Sequence, residues 1–209
     1  MSATQTQILS TEDPQSISLA IAALDRGELI AFPTDTLYGL AGRIDEESLQ
    51  KIYAAKQRPE EKAIPVLVGN PEQLDQLTCS IKTEVLALMR AHWPGALTLI
   101  VSKKAGLPAS LSHFPGLAVR MPDHSFALKL LKRAGPLAVT SANISGQSNP
   151  TTAEEVYAQL NGRVSLILDG SKHPVGQAST VVDCLGETPV LLRGGAIPFD
   201  EILKKWGLA

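Results

Sequence analysis

Two cations near the end of a predicted helix are the first candidates for binding chemistry. Lys56 and Arg58 follow an amphipathic segment that Pro59 ends, and Lys62 lies just beyond. Residues two apart do not share a helix face, but both side chains can converge on one anion from a frayed last turn. A point charge beside a planar guanidinium suits a triphosphate. Favourable placement of cations at a helix C-terminus explains the pair equally well.

A polar loop after an apolar strand is the second candidate. The strand predicted at 137–140 leads into Ser141 and Asn143, and then into Ser145 and Gly146. Hydroxyls, a side-chain amide and exposed backbone N–H groups can hold a phosphate or a ribose. The same groups could instead satisfy only the backbone of the loop itself. The residues alone leave both roles open.

Further polar side chains stand at predicted strand ends, where loops usually build sites. Thr36 lies in a turn after an apolar strand, where its hydroxyl can orient a small polar substrate or simply belong to the turn. Arg120 ends another strand, and Ser179-Thr180 open a third. Arg193 is followed by two glycines, which permit a close approach of backbone to a ligand.

Alternating helix and strand patterns predict an α/β fold with a mixed sheet that positions these residues. Pro65 favours an edge position or a bulge for its strand. Thr151 or Thr152 is expected to cap a helix, with Glu154 or Glu155 completing a capping box. Predicted helices cover 14–26, 46–57, 71–77, 82–92, 124–134, 152–160 and 199–206, and predicted strands cover 28–33, 63–68, 96–102, 117–121, 137–140, 164–168, 179–183 and 189–193.

Composition limits the class of protein. The chain has 209 residues, of which 44% are apolar and 19% charged, as expected for a folded domain. No apolar run approaches the roughly 20 residues that span a membrane. Cys79 and Cys184 are too few for a disulfide framework, so a cytoplasmic location is the default expectation. The net charge of −2 argues against broad phosphate binding and requires any anion site to be a local cleft.

Several common motifs are absent from the sequence. It contains no Walker A pattern, no dinucleotide-binding glycine fingerprint at a strand–helix junction and no nucleophile elbow. The four histidines are scattered, so no metal site is predicted. They are His92, His113, His124 and His173.

Seven segments in order, spanning roughly residues 14–200, resemble the YrdC-domain family of threonylcarbamoyl-AMP synthases. The segments are Phe32-Pro33-Thr34-Asp35-Thr36-Leu37-Tyr38-Gly39-Leu40, Lys56-Gln57-Arg58-Pro59, Trp93-Pro94-Gly95-Ala96-Leu97-Thr98, Val119-Arg120-Met121-Pro122, Thr140-Ser141-Ala142-Asn143-Ile144-Ser145-Gly146, Ser179-Thr180-Val181-Val182-Asp183 and Leu192-Arg193-Gly194-Gly195-Ala196-Ile197. The resemblance implies a single YrdC-like domain over 14–209 after an extension over 1–13. It also implies a twisted mixed sheet, flanked by helices, with a concave cationic cleft.

The resemblance also implies a reaction and a division of the site residues. L-threonine, bicarbonate and ATP would form L-threonylcarbamoyladenylate with release of pyrophosphate, by positioning and charge neutralisation rather than through a catalytic side chain. Magnesium would accompany the triphosphate. The residues implied for ATP are Lys56, Arg58, Lys62, Ser141, Asn143 and Arg193, and those implied for threonine are Thr36, Arg120, Ser179 and Thr180.

The family role sets the expected partners and the alternatives. The adenylate supplies N6-threonylcarbamoyladenosine formation in tRNA, so we expect a tRNA-modifying transferase as a partner, weak RNA contact and no membrane. A non-enzymatic RNA-binding module of the same fold is the alternative. A ligase for another amino acid would differ only in its side-chain pocket.

Overall fold

The computed structural model describes residues 5–170 and 177–208, and His173 lies outside them. The helices are α1 (Ser16–Asp25), α2 (Glu46–Lys56), α3 (Thr83–His92), α4 (Ser125–Ala134), α5 (Ala153–Leu160) and α6 (Phe199–Trp206). The strands are β1 (Gln7–Ser10), β2 (Ile30–Pro33), β3 (Tyr38–Gly42), β4 (Val66–Leu67), β5 (Leu97–Ser102), β6 (Gly116–Arg120), β7 (Leu137–Ser141), β8 (Leu166–Asp169), β9 (Thr180–Asp183) and β10 (Val190–Arg193). Short 3-10 helices cover Pro71–Gln76 and Ala109–Leu111.

The strands of the described residues form one mixed sheet in the order β1-β8-β2-β3-β7-β4-β6-β5-β9-β10. The pairs β1–β8, β8–β2, β4–β6 and β5–β9 are parallel, and the others are antiparallel. The predicted α/β fold with a mixed sheet is therefore confirmed.

Side chains alternate between the two faces of this sheet and divide the core in two. One face, here called the covered face, packs against α2, α3, α5 and α6, with Ile52, Leu88 and Ile202 among its buried residues. The other face packs against α1 and α4 around Leu24 and Leu130. The second face is here called the open face. From β3 to β10 in the order of the sheet, it carries a cavity that is lined mainly by strand and loop residues rather than by helices.

Two strands were not predicted from the sequence. β1 lies within the segment 1–13 that was set apart as an extension, and its parallel pairing with β8 joins that segment to the sheet. β3 follows the turn at 34–36 and pairs with β2 and β7.

The expected edge position or bulge at Pro65 is wrong. β4 is an interior strand of two residues between β7 and β6, paired without a register shift. Pro65 immediately precedes it, so the missing N–H removes no bond from β4 itself. The Pro65 carbonyl still accepts a hydrogen bond from the Val139 amide at 2.8 Å.

The prediction that Thr152 caps α5 is confirmed, and Glu155 binds back to the residue before the cap. The Thr152 hydroxyl accepts from the Glu155 amide at 3.2 Å, and the Glu155 carboxylate accepts from the Thr151 amide at 2.7 Å. These bonds end the 141–152 connection and fix where α5 begins. Within the described residues, no helix combines the length and the apolar character needed to cross a membrane.

Candidate functional site

The open face carries a cavity of about 250 Å³, here called the central cavity. The sequence pattern explains its polar floor: Leu97, Leu99, Leu117 and Val119 turn to the core of the covered face, so the alternate residues of β5 and β6 turn the other way. Six of the predicted site residues line this cavity. They are Thr36, Arg58, Arg120, Ser141, Ser179 and Arg193.

Arg120 is the most enclosed cation of the cavity and its charge is balanced. It donates from Nε to the Gly95 carbonyl at 2.9 Å and from Nη1 to the Thr36 hydroxyl at 2.7 Å. Its Nη2 forms an ion pair with Asp35, and the two side chains are only 7% and 17% exposed. Burial lowers the pKa of Arg120, and Asp35 opposes that effect. Arg120 therefore offers a neutralised, directional subsite for a small polar ligand.

Gly95 is required where it accepts from Arg120. A Cβ on Gly95 would lie 2.4 Å from the His92 carbonyl oxygen, so any side chain would force the turn apart. The turn follows α3 directly, and the Gly95 amide donates to the Met121 carbonyl at 2.8 Å. The end of α3 thus holds one acceptor of the buried arginine in place.

Arg58 and Arg193 carry positive charge that no carboxylate balances within the described residues. The ion pairs there join Arg26 to Glu28, Arg43 to Asp25, Lys51 to Glu47 and Arg120 to Asp35. Arg58 instead donates to the carbonyls of Lys62 and Ala63 at 3.1 and 2.8 Å. Arg193 donates to the Ser179 carbonyl at 3.1 and 2.9 Å and to its hydroxyl at 3.0 Å. Partial burial lowers the pKa of both guanidinium groups.

Two unbalanced guanidinium groups facing one cavity favour an anionic ligand. Each is held by carbonyl oxygens, which orient the fork without neutralising its charge. A charged ligand that spans both would gain two charge-assisted contacts.

Ser179 and Thr180 have different surroundings. Ser179 faces the cavity, where its hydroxyl lies 2.8 Å from the Thr98 hydroxyl. Thr180 does not line the cavity: it is fully buried and donates to the Ile197 carbonyl at 2.7 Å. A Cβ on Gly195 would lie 2.4 Å from the Ala178 carbonyl oxygen, so a glycine is needed for the chain that follows β10 to pack this closely against the start of β9.

Lys56 does not line the cavity either. It is 1% exposed, and its Nζ donates to the carbonyls of Ser141 and Asn143 and to the Asn143 side-chain oxygen, the last at 3.3 Å. Burial, and secondarily the nearby Arg58, lower the pKa of Lys56 to about 7. Its three N–H donors are matched by three protein oxygens.

Asn143 is similarly engaged within the 141–147 loop. Its amide nitrogen donates to the carbonyls of Ile144 and Gln147, both at 2.9 Å, and its oxygen accepts from the Ser141 hydroxyl at 2.5 Å. Its side chain shapes the loop, while Ser141 faces the cavity. Lys62 is exposed and outside the lining, although its carbonyl holds Arg58.

Sequence reasoning did not assign two residues that the geometry brings into the site. Asp35 stands in a quoted motif, but only the fold shows that it balances Arg120. Thr98 interrupts the apolar residues of β5, and this interruption was the available signal. A separate cavity of about 470 Å³ lies at the N-termini of α1 and α4 and contains none of the predicted site residues.

Most of the chain matches the model of one known protein family. The family model Sua5_yciO_yrdC, described as Telomere recombination, matches residues 22–195. The chain belongs to this family.

Individual relatives are similar over nearly the whole chain. A Bacillus subtilis protein named "Threonylcarbamoyl-AMP synthase" is 43% identical over 94% of this chain and 58% of its own length. A Mycobacterium tuberculosis protein named "Putative threonylcarbamoyl-AMP synthase" is 36% identical over 97% of this chain and 96% of its own length. The crystal structure of Pyrococcus abyssi Sua5 complexed with L-threonine is 37% identical, with a TM-score of 0.88, over 96% of this chain and 59% of that one. The chain thus spans under two thirds of the Bacillus and Pyrococcus relatives.

Proposed function

We propose that this protein is an L-threonylcarbamoyladenylate synthase, a nucleotidyltransferase that uses L-threonine, bicarbonate and ATP. The observation that carries the proposal is the unequal charge balance of the central cavity. Arg58 and Arg193 have no carboxylate partner among the described residues, whereas Arg120 is tied to Asp35 and Thr36. A polyanion requires cations whose charge is not already neutralised, as at Arg58 and Arg193. A small zwitterion requires a balanced and directional site, as at Arg120.

The names of the relatives and the L-threonine complex of Pyrococcus abyssi Sua5 support this assignment. Threonine would occupy the Arg120 end of the cavity. The carboxylate of the bound threonine would contact the Arg120 guanidinium, and the hydroxyls of Thr36 and Ser179 offer further contacts. The triphosphate would lie against Arg58 and Arg193. Cavity-lining hydroxyls, including that of Ser141, would orient the nucleotide.

The chemistry requires positioning above all. The threonine amine and bicarbonate give a carbamate with loss of water. A carbamate oxygen then attacks the α-phosphorus, the bond to the β-phosphate oxygen breaks, and pyrophosphate leaves. Two guanidinium groups can stabilise the charge that develops on the leaving group. Holding the reacting atoms in line accounts for the remaining catalysis.

Magnesium would enter with the nucleotide. The described residues contain no group of three potential His, Cys, Asp or Glu ligands. Triphosphate oxygens and water, with lining hydroxyls, would therefore supply its coordination, which is the usual arrangement for this ion at phosphates. Bound magnesium neutralises charge on the phosphates.

The test is pyrophosphate release with defined substrates. We expect release only when ATP, bicarbonate and threonine are all present, together with a product of the mass of threonylcarbamoyladenylate. Equal release with serine or alanine would indicate a ligase of broader specificity. No release, combined with tight RNA binding, would favour the RNA-binding module. If the adenylate forms, the expected partner is a tRNA-modifying transferase in the cytoplasm.

A further inference from the structure

Lys56 joins the end of α2 to the 141–147 loop through both its side chain and its main chain. Its Nζ donates to three oxygens of Ser141 and Asn143. Its own carbonyl accepts from the Ser145 amide at 2.8 Å. The two segments are 85 positions apart in the sequence and are fastened here by a single residue.

The surroundings of Nζ leave no donor for a ligand. Lys56 is 1% exposed and its side chain lies beneath the loop rather than in the central cavity. An ammonium group has three N–H donors, and three protein oxygens take them. A phosphate could reach this nitrogen only by displacing the loop.

The residues on either side of this joint do face the cavity. Arg58 follows two positions later, after Gln57 adopts a left-handed conformation with φ of 51°. The Arg58 amide donates to the Tyr53 carbonyl at 2.9 Å, so the helix end fixes the direction in which the chain leaves. Ser141, at the other end of the joint, also lines the cavity.

We propose that Lys56 is a positioning residue: it sets Arg58 and Ser141 at a fixed separation so that both meet the triphosphate, and it does not touch the nucleotide itself. This inference rests on the proposed function for the identity of the ligand. It assigns the lysine of the Lys-x-Arg element to the architecture of the site and leaves the contact to the arginine.

A double-mutant cycle on ATP affinity distinguishes positioning from contact. The single variant Lys56→Met removes all three donors at nearly constant length, and we expect it to weaken ATP binding about tenfold. In the Arg58→Ala/Ser141→Ala background, the same change should cost less than about threefold, because the residues through which Lys56 acts are gone. Losses that multiply fully would show direct contact and overturn the proposal.

Controls keep the result interpretable. Lys51→Met, on the same helix, removes an exposed lysine that contacts Glu47 and the Gly27 carbonyl, and it should leave ATP affinity unchanged. Lys56→Gln retains two donors and should recover part of the affinity; it carries the cycle if Lys56→Met melts below the assay temperature. No recovery by glutamine over methionine would also count against positioning.

Calorimetric ATP binding is the readout because it does not depend on the second substrate. A wild-type protein that binds ATP but releases no pyrophosphate with threonine would overturn the proposed function and leave this inference standing. If the protein does release pyrophosphate but the losses of ATP affinity in the cycle multiply, the positioning role of Lys56 is overturned and the proposed function stands.

Discussion

Replacing Asp35 by asparagine tests how the buried arginine of the central cavity is held. The change preserves the shape of the side chain and removes the charge that balances Arg120. Both side chains are largely buried, at 17% and 7% exposed. Arg120 would retain its bonds to the Gly95 carbonyl and the Thr36 hydroxyl.

The expected loss is large for a single substitution. Removing one partner of a buried ion pair costs about 3–5 kcal/mol, because an uncompensated charge remains in the interior. The partial exposure of Asp35, and the ability of asparagine to accept a hydrogen bond, place the value near about 3 kcal/mol. In a chain of 209 residues, that corresponds to a fall in Tm of about 6–12 °C.

Thermal and urea unfolding measure this loss, with threonine as an added probe. Threonine should raise the Tm of Asp35→Asn more than that of the wild type, since its carboxylate replaces the missing charge. Asp25→Asn is the matched control: Asp25 pairs with Arg43 but is 60% exposed, so its loss should be about 0–1 kcal/mol. Adding Arg120→Met to Asp35→Asn should recover stability. An Asp35→Asn protein as stable as the wild type would refute the reasoning.

Three further predictions concern the nucleotide end of the cavity. Arg58→Ala and Arg193→Ala should each weaken ATP binding by about ten- to hundredfold in calorimetry, with little change in Tm, and unaltered binding in both would contradict the assignment. The folded-state pKa of Lys56 is lowered to about 7, so as pH rises through that value Lys56 loses a proton and one of the hydrogen bonds that hold the 141–147 loop. ATP affinity, measured by calorimetry, should therefore fall over the same range. Between pH 7 and about 9, the unfolded chain binds more protons at Lys56 than the folded chain does, so the free energy of unfolding should rise with pH in the wild type but not in Lys56→Met; above that range the raised pKa of the buried Cys184 thiol opposes the trend. Asn143→Ala should lower stability by about 1–3 kcal/mol in urea unfolding, whereas Gln147→Ala, which keeps the backbone acceptor, should not.

Strong periodicity made much of the fold predictable. The helix predicted at 46–57 is α2, and the one predicted at 124–134 is α4, each within a residue or so at its ends. Each has an apolar stripe and a clear stop, Pro59 after α2 and Gly135 after α4. An apolar stripe together with a stop residue indicates both that a segment is a helix and where the helix ends.

β1 and β3 lacked such signals. β3 is buried at all five positions and contains two glycines, so neither alternation nor β-propensity marks it. β1 has four residues at the sheet edge and mostly exposed side chains, and among the residues that the structure describes its only strand partner is β8. Both strands are defined by partners distant in sequence.

Six of the ten predicted site residues line the central cavity, but the role of each residue was not predictable from the sequence. Arg58, Arg120 and Arg193 were chosen for their charge at element ends, and they meet in the cavity. Nothing in the local sequence distinguishes the role of Lys56 from that of Arg58, because the loop whose oxygens bind the Lys56 ammonium begins 85 positions away. The same applies to Asp35, whose partner is Arg120.

The position of Arg193 has a consequence for local stability. It belongs to β10, which within the described residues pairs with β9 alone and exposes all four of its residues, including Val190 and Leu192. Terminal strands with few buried contacts open more readily than the body of a sheet. Each opening of β10 removes a guanidinium from the cavity, so we expect affinity for the proposed nucleotide to fall when the sheet edge frays. A bound triphosphate should, in turn, protect the 190–193 segment from proteolysis.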